Sequence, residues 1–332
     1  MWFNMKVEKN HIIVPFLLLF TTSLLVFLSL FVFKNPDLDA YIAILNSSNK
    51  FSFNIEPATF FLATFANFLG RVFLLDPIIF FYFQYIFLIQ LFIFFGFYNL
   101  SKNKFILTGF LLVLWLFVYG VLHCLIQIRF GLANAIFLYA FSLLYKERKN
   151  ITTFVLGVAA FFTHYSSGLA IFSLFLIRLR SVLFNKTSYI IVHGFFITFL
   201  LLFKIGSVFS ILPSFMFARI SGYIDNVDID QISNISIYMS FVCYFILIVS
   251  PKLNDEKLNA LKYYGALGFL PYFIVPELEI IVRLGVAFQY LLLPYLILTF
   301  KFKKVVFITT LPLLVFFGYK VFSSINTFLG YL

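Results

Sequence analysis

A few polar residues stand out in an otherwise apolar chain. Arg71, Arg129, Arg219 and Arg283 each carry a planar guanidinium that stays charged and can hold two phosphate oxygens at once. His164 and Glu56 are side chains that can take a proton from a hydroxyl, with Asp37 and Asp39 behind them. Asp37-Leu38-Asp39 also has the D-x-D spacing of metal-dependent sugar transferases, and two carboxylates so spaced can hold a divalent ion. Tyr41, Tyr165 and Tyr223 can stack on sugar faces or anchor at a membrane interface, the anchor being the default. Each residue also has a plainer reading. Arg129 suits a snorkelling anchor and His164 a hydrogen-bonded turn residue, while Arg283 can pair with Glu279 one helical turn away. Asp225, Asp228 and Asp230 read as a solvated loop, and His11, His123 and His193 as structural.

The elements that must position these residues follow from composition. Of 332 residues, 63% are hydrophobic and 11% charged, and the mean hydropathy is +1.04. A soluble domain carries about 25% charge, so a soluble enzyme, a nucleic-acid-binding protein and a disordered scaffold are excluded. The apolar residues come in unbroken runs, which argues against a β-barrel and for an all-α, polytopic integral membrane protein. Cys124 and Cys243 both lie in apolar runs outside any C-x-x-C pair and read as packing. The first apolar run, 12–33, is longer than the core of a cleavable signal peptide and suits a retained span.

The net charge of +11 reports topology, because short cytoplasmic loops collect Lys and Arg. Six basic clusters fall around residues 6–9, 102–104, 146–149, 178–186, 252–262 and 301–304. Placing all six inside requires an even number of crossings between neighbours. Turns are then expected at 123–127, 164–168 and 276–283, and the last span at 305–323. Residues 57–75, opened by Pro57, fit a juxtamembrane helix on the outer face. The expectation is a single integral membrane domain, 1–332, with about eleven transmembrane helices and a cytoplasmic N-terminus. Its outer face carries the loop 34–56, the helix 57–75 and a large loop at about 204–234. No charge is expected near the middle of any span, which argues against an ion-coupled pump. The informative polar residues gather at the outer membrane–water boundary.

Four segments in order resemble one family. They are Asn35-Pro36-Asp37-Leu38-Asp39-Ala40-Tyr41 with Glu56-Pro57 after it, Arg129-Phe130-Gly131-Leu132-Ala133, Ala159-Ala160-Phe161-Phe162-Thr163-His164-Tyr165-Ser166, and Arg219-Ile220-Ser221-Gly222-Tyr223. This pattern, over about 35–300, is similar to the EpsG family, a branch of the Wzy-type bacterial polysaccharide polymerases. Thr163 departs from it, where the family has an apolar residue before the histidine. The resemblance implies transfer of glycan from undecaprenyl diphosphate onto a second lipid-linked repeat unit at the outer face of the plasma (inner) membrane. Donor and acceptor are then both undecaprenyl-diphosphate-linked oligosaccharides, with membrane lipid around them, a chain-length regulator as partner and no nucleic acid. No cofactor and no metal are expected. On this reading His164, Glu56, Asp39 and Asp37 are the candidates for the base. Arg129, then Arg283, Arg71 and Arg219, are candidates for the diphosphate, and Tyr223, Tyr41 and Tyr165 for the glycan. A lipid-linked oligosaccharide flippase or other transporter, an O-antigen ligase and a structural assembly subunit are the alternatives.

Overall fold

The computed structural model describes residues 10–32, 34–48, 55–146, 151–168, 186–206, 233–277, 279–299 and 305–330, together with positions 170 and 174. Among the described residues every regular element is helical. In chain order these are α1 (Asn10–Phe27), which continues into a wider π-wound turn at Leu28–Val32, and α2 (Leu38–Ser47). Then come α3 (Pro57–Phe73), α4 (Pro77–Leu100), and α5 (Phe105–Trp115), which is π-wound over Leu116–Ile126. Next are α6 (Ile128–Tyr145), α7 (Ile151–Thr163), α8 (Lys186–Lys204) and α9 (Asn234–Val249). The last are α10 (Glu256–Ala266), α11 (Leu270–Ile274), α12 (Glu279–Arg283), α13 (Val286–Gln289), α14 (Leu292–Thr299) and α15 (Val305–Gly330).

Six helical stretches among the described residues are long and apolar enough to cross a bilayer: Val14–Val32, Pro77–Leu100, Phe105–Ile126, Ile128–Tyr145, Ile281–Thr299 and Thr309–Gly330. Ile151–Thr163, Tyr189–Lys204 and Asn234–Val249 are shorter apolar helices. The 13 residues of α7 rise only about 20 Å, against a hydrocarbon core of about 30 Å. The chain is thus a multi-span helical membrane protein. Exposed phenylalanines on the outer helices, such as Phe16, Phe31, Phe61 and Phe110, fit a lipid-facing surface.

The two most enclosed stretches are α6 and Ile281–Thr299, and α1 and α15 lie at the periphery. Hydrogen bonds gather several helix ends at one end of the bundle. Asn35 donates from Nδ2 to the Tyr82 hydroxyl at 2.6 Å and also to the Leu125 carbonyl, and Tyr41 donates to the Ile126 carbonyl at 2.8 Å. At mid-helix Thr21 donates to the Gln90 Oε1, and Gln90 donates in turn to Thr22. These contacts fix α1 and α4 as antiparallel neighbours.

Three local features set up this end. Asp76 caps α4, its Oδ1 accepting from the Ile78 amide at 2.9 Å, and Pro77 fills the first helical position, where a missing N–H costs nothing. Glu56 precedes Pro57 and is therefore extended (φ −58°, ψ 135°); its carboxylate makes no cap to its own helix and is left for other partners. Gln127 alone joins the π-wound segment to α6. At that joint the two backbones nearly touch, and a Cβ on Gly131 would lie 2.5 Å from the His123 carbonyl oxygen.

α15 runs to Gly330, past the expected end of the last span at 323, so Lys320 lies within the apolar stretch Thr309–Gly330. A lysine in a run this apolar does not stop a helix that can shelter its ammonium. Lys320 Nζ donates to the Tyr272 hydroxyl at 2.8 Å and lies 5.3–5.7 Å from the ring centroids of Tyr119, Tyr272 and Phe316.

Gly131→Ala is predicted to destabilise the protein by about 1–3 kcal/mol, because the added methyl meets backbone and not a movable side chain. Gly109→Ala, where a Cβ meets nothing within 4 Å, should be neutral or stabilising. Thermal melts of the two variants in detergent give the comparison, and equal midpoints would contradict the close approach.

Candidate functional site

The Glu56 side chain is 0% exposed and sits between two partners. Arg129 donates from Nη1 to Glu56 Oε2 at 2.8 Å, and His164 Nδ1 lies 3.3 Å from Glu56 Oε1. A carboxylate can only accept, so the proton of the His164 contact belongs on Nδ1. In the neutral ring the lone pair is then on Nε2, the nitrogen that does not face Glu56. Arg129 and His164 keep about a fifth of their side-chain surface exposed, so the buried carboxylate supports two groups that reach solvent.

Four elements build this arrangement. Glu56 opens α3, Arg129 lies in the first turn of α6, and His164 follows the last residue of α7 in extended conformation (φ −157°, ψ 114°). The Tyr85 hydroxyl of α4 donates to Thr59 Oγ1 at 2.8 Å, and Thr59 Oγ1 donates to the Thr163 carbonyl at 3.4 Å. This relay holds the start of α3 beside the end of α7. The Phe130 ring meets both His164 and His123 in near-perpendicular contacts, with centroids 5.6 and 5.4 Å apart. The guanidinium of Arg129 lies 5.6 Å from the ring centroid of Tyr41.

Asp37 begins α2, its amide donating to Asn35 Oδ1 at 2.9 Å. Its carboxyl feels both Arg129 and Arg283. Burial pushes it above the ordinary carboxylate value, against the pull of the two arginines. Arg283 reaches Gln127: with its amide oxygen turned toward the guanidinium, Gln127 accepts from Nη1 at 2.9 Å and Nη2 at 3.3 Å. Glu56, His164, Arg129, Asp37 and Arg283 therefore share one end of the bundle.

The other expected residues are placed differently. Asp39 is exposed in the first turn of α2. Two positions apart on a helix differ by about 200°, so Asp37 and Asp39 do not share a face. No group of three His, Cys, Asp or Glu able to hold a metal occurs among the described residues. Arg71 is exposed in the last turn of α3, about 22 Å along the axis from Glu56. Tyr41 is buried beneath Arg129, and Tyr165 is buried against Phe161 at 5.2 Å, so both rings are occupied by packing. Arg219 and Tyr223 lie outside the described residues.

Three participants escaped sequence reasoning. Phe130 and Tyr85 are apolar-run aromatics with no signal of their own. Lys320 did have one, as a lone lysine deep in an apolar run. A charge at span depth costs about 3 kcal/mol or more, and a cation–π contact returns about 0.5–2 kcal/mol.

A model of the EpsG family matches residues 14–332, nearly the whole chain, so the chain belongs to the EpsG family, a family of Wzy-like polymerases. No curated protein and no solved structure matches it.

Arg129→Ala should destabilise the protein by about 3–5 kcal/mol, by leaving the Glu56 carboxylate buried without its cation. Adding Glu56→Gln to that variant should restore most of the lost melting temperature, because the stranded charge is removed. A double variant as unstable as the single would contradict the ion pair as the cause.

Proposed function

We propose that this EpsG-family protein is a glycosyltransferase of the Wzy type. It would move a growing glycan from undecaprenyl diphosphate onto the repeat unit of a second lipid-linked oligosaccharide. The observation that carries the mechanism is the buried Glu56 carboxylate between Arg129 and His164. Glu56 holds Nδ1–H of His164, so Nε2 can act as general base toward the acceptor hydroxyl. As that oxygen attacks the anomeric carbon, the carbon–oxygen bond to the diphosphate breaks and the proton ends on Nε2. One base suffices for direct displacement with inversion, without a carboxylate nucleophile. The departing diphosphate carries about two negative charges. Arg129 and Arg283, which both act on the Asp37 carboxyl, would receive it, aided by the positive N-terminus of α6.

In this reading the site end of the bundle faces outward from the plasma membrane and the N-terminus is cytoplasmic. The crossings number about eleven, including segments outside the described residues, and α3 is a juxtamembrane helix of the outer face. The basic clusters of the sequence support that orientation. A chain-length regulator would act as a partner. Lys320 favours one competing reading, a lipid-linked oligosaccharide flippase, because a charge at span depth often lines a transport path.

Purified protein reconstituted in proteoliposomes with labelled lipid-linked repeat units should lengthen the glycan. Translocation without growth would favour the flippase, and transfer to lipid A core or protein would favour a ligase. Elongation should fall as pH drops through the imidazole range, because a protonated ring has no lone pair to offer. A profile flat from about pH 5 to 8 would shift the base from His164 to a carboxylate.

A further inference from the structure

We propose that Lys320 is a phosphate-binding residue of a second headgroup station. It lies beside the Glu56 site and takes the diphosphate of a polyprenyl-diphosphate-linked substrate. The inference deepens the polymerase reading and rests on it for the identity of the ligand.

Charge comes first. Around Asp37, two cations (Arg129 and Arg283) face two carboxylates (Glu56 and Asp37), so the site as described is nearly neutral. A polymerase of this kind must hold two diphosphate headgroups, one on each substrate. Lys320 supplies positive charge that no carboxylate among the described residues offsets. Among the described residues none lies within ion-pair distance of it, and its only hydrogen bond is to the Tyr272 hydroxyl. The rings of Tyr119, Tyr272 and Phe316 shelter the ammonium without neutralising it.

Position comes second. Lys320 Nζ lies 5.7 Å from the centroid of the Tyr119 ring, and that ring stacks on the His123 imidazole with centroids 5.8 Å apart. His123 is joined to the catalytic side by Phe130, which also meets His164. Consecutive ring contacts through Tyr119, His123 and Phe130 thus link the second station to the base. A neighbouring polar atom is also unsatisfied. His123 is fully buried with Nδ1 at the Tyr290 hydroxyl, and its Nε2 has no partner. Tyr119 stacks on the same imidazole and donates to Gln289 at 3.0 Å. An anion entering beside Lys320 would meet an ammonium and the Tyr272 hydroxyl between the rings of Tyr119, Tyr272 and Phe316.

The test uses the full-length protein in detergent with farnesyl diphosphate as probe, comparing wild type, Lys320→Met and Lys320→Arg. Lys320→Met should weaken farnesyl diphosphate binding by about tenfold or more, while the apo melting temperature stays level or rises because a charge inside an apolar stretch is removed. Lys320→Arg should keep affinity within about threefold. Unchanged affinity in Lys320→Met would overturn the proposal, as would equal loss in Lys320→Arg and Lys320→Met accompanied by a fall in melting temperature. Inorganic pyrophosphate and phosphatidylglycerol vesicles are the source controls. If either competes as well as farnesyl diphosphate, the anion is not the headgroup of a polyprenyl carrier and the assignment fails. In the elongation assay Lys320→Met should raise KM for lipid-linked repeat units and largely spare kcat. Wild-type protein that binds farnesyl diphosphate through Lys320 yet extends no glycan would sink the polymerase reading and leave the anion station standing.

Discussion

A carboxylate removed from water must find its charge and hydrogen bonds inside the protein, and Glu56 organises this end of the bundle around that requirement. It has no exposed surface, so its two oxygens need donors that do not drift. Arg129 supplies one and His164 the other. Because the donors come from α6 and the end of α7, satisfying Glu56 also fixes how α3, α6 and α7 meet. The demand that stabilises the junction orients the imidazole, so packing and proposed chemistry share one interaction.

The surrounding packing serves that junction. Tyr85 and Thr59 tie α3 to the Thr163 carbonyl, one residue before the histidine. Tyr41 backs the guanidinium from α2. Gly131 lets α6 close on the His123 backbone, which brings Phe130 against both imidazoles. The glycine two residues after the arginine is thus a matter of contact distance. Any side chain there would push α6 away and carry Arg129 with it.

Positive charge is laid out in sequence around this end. Arg129 is offset by Glu56, Arg283 lies by Gln127 and within reach of Asp37, and Lys320 is boxed by rings. An apolar surround strengthens each of these charges relative to water.

Composition and apolar run length settled a helical membrane protein, because no other packing hides this much hydrophobic surface. Pro57, Pro77 and Asp76 marked helix starts through backbone chemistry that acts locally. Motif order pointed to the family, and Glu56, Arg129 and His164 could each be named as a candidate. That they form one cluster was not legible, since residues 73 and 108 positions apart along the chain meet only once four helices pack. The separation of Asp37 from Asp39 and the distance of Arg71 from Glu56 follow from the geometry of a single helix, while the burial of Tyr41 and Tyr165 came from the tertiary structure. So did the place of Lys320, because helix length and the aromatic box from three segments decide whether a lysine ends a span or sits within it. Local backbone preference and hydrophobicity are carried by neighbours in sequence; the pairing of charges is carried by neighbours in space, and only folding assigns those.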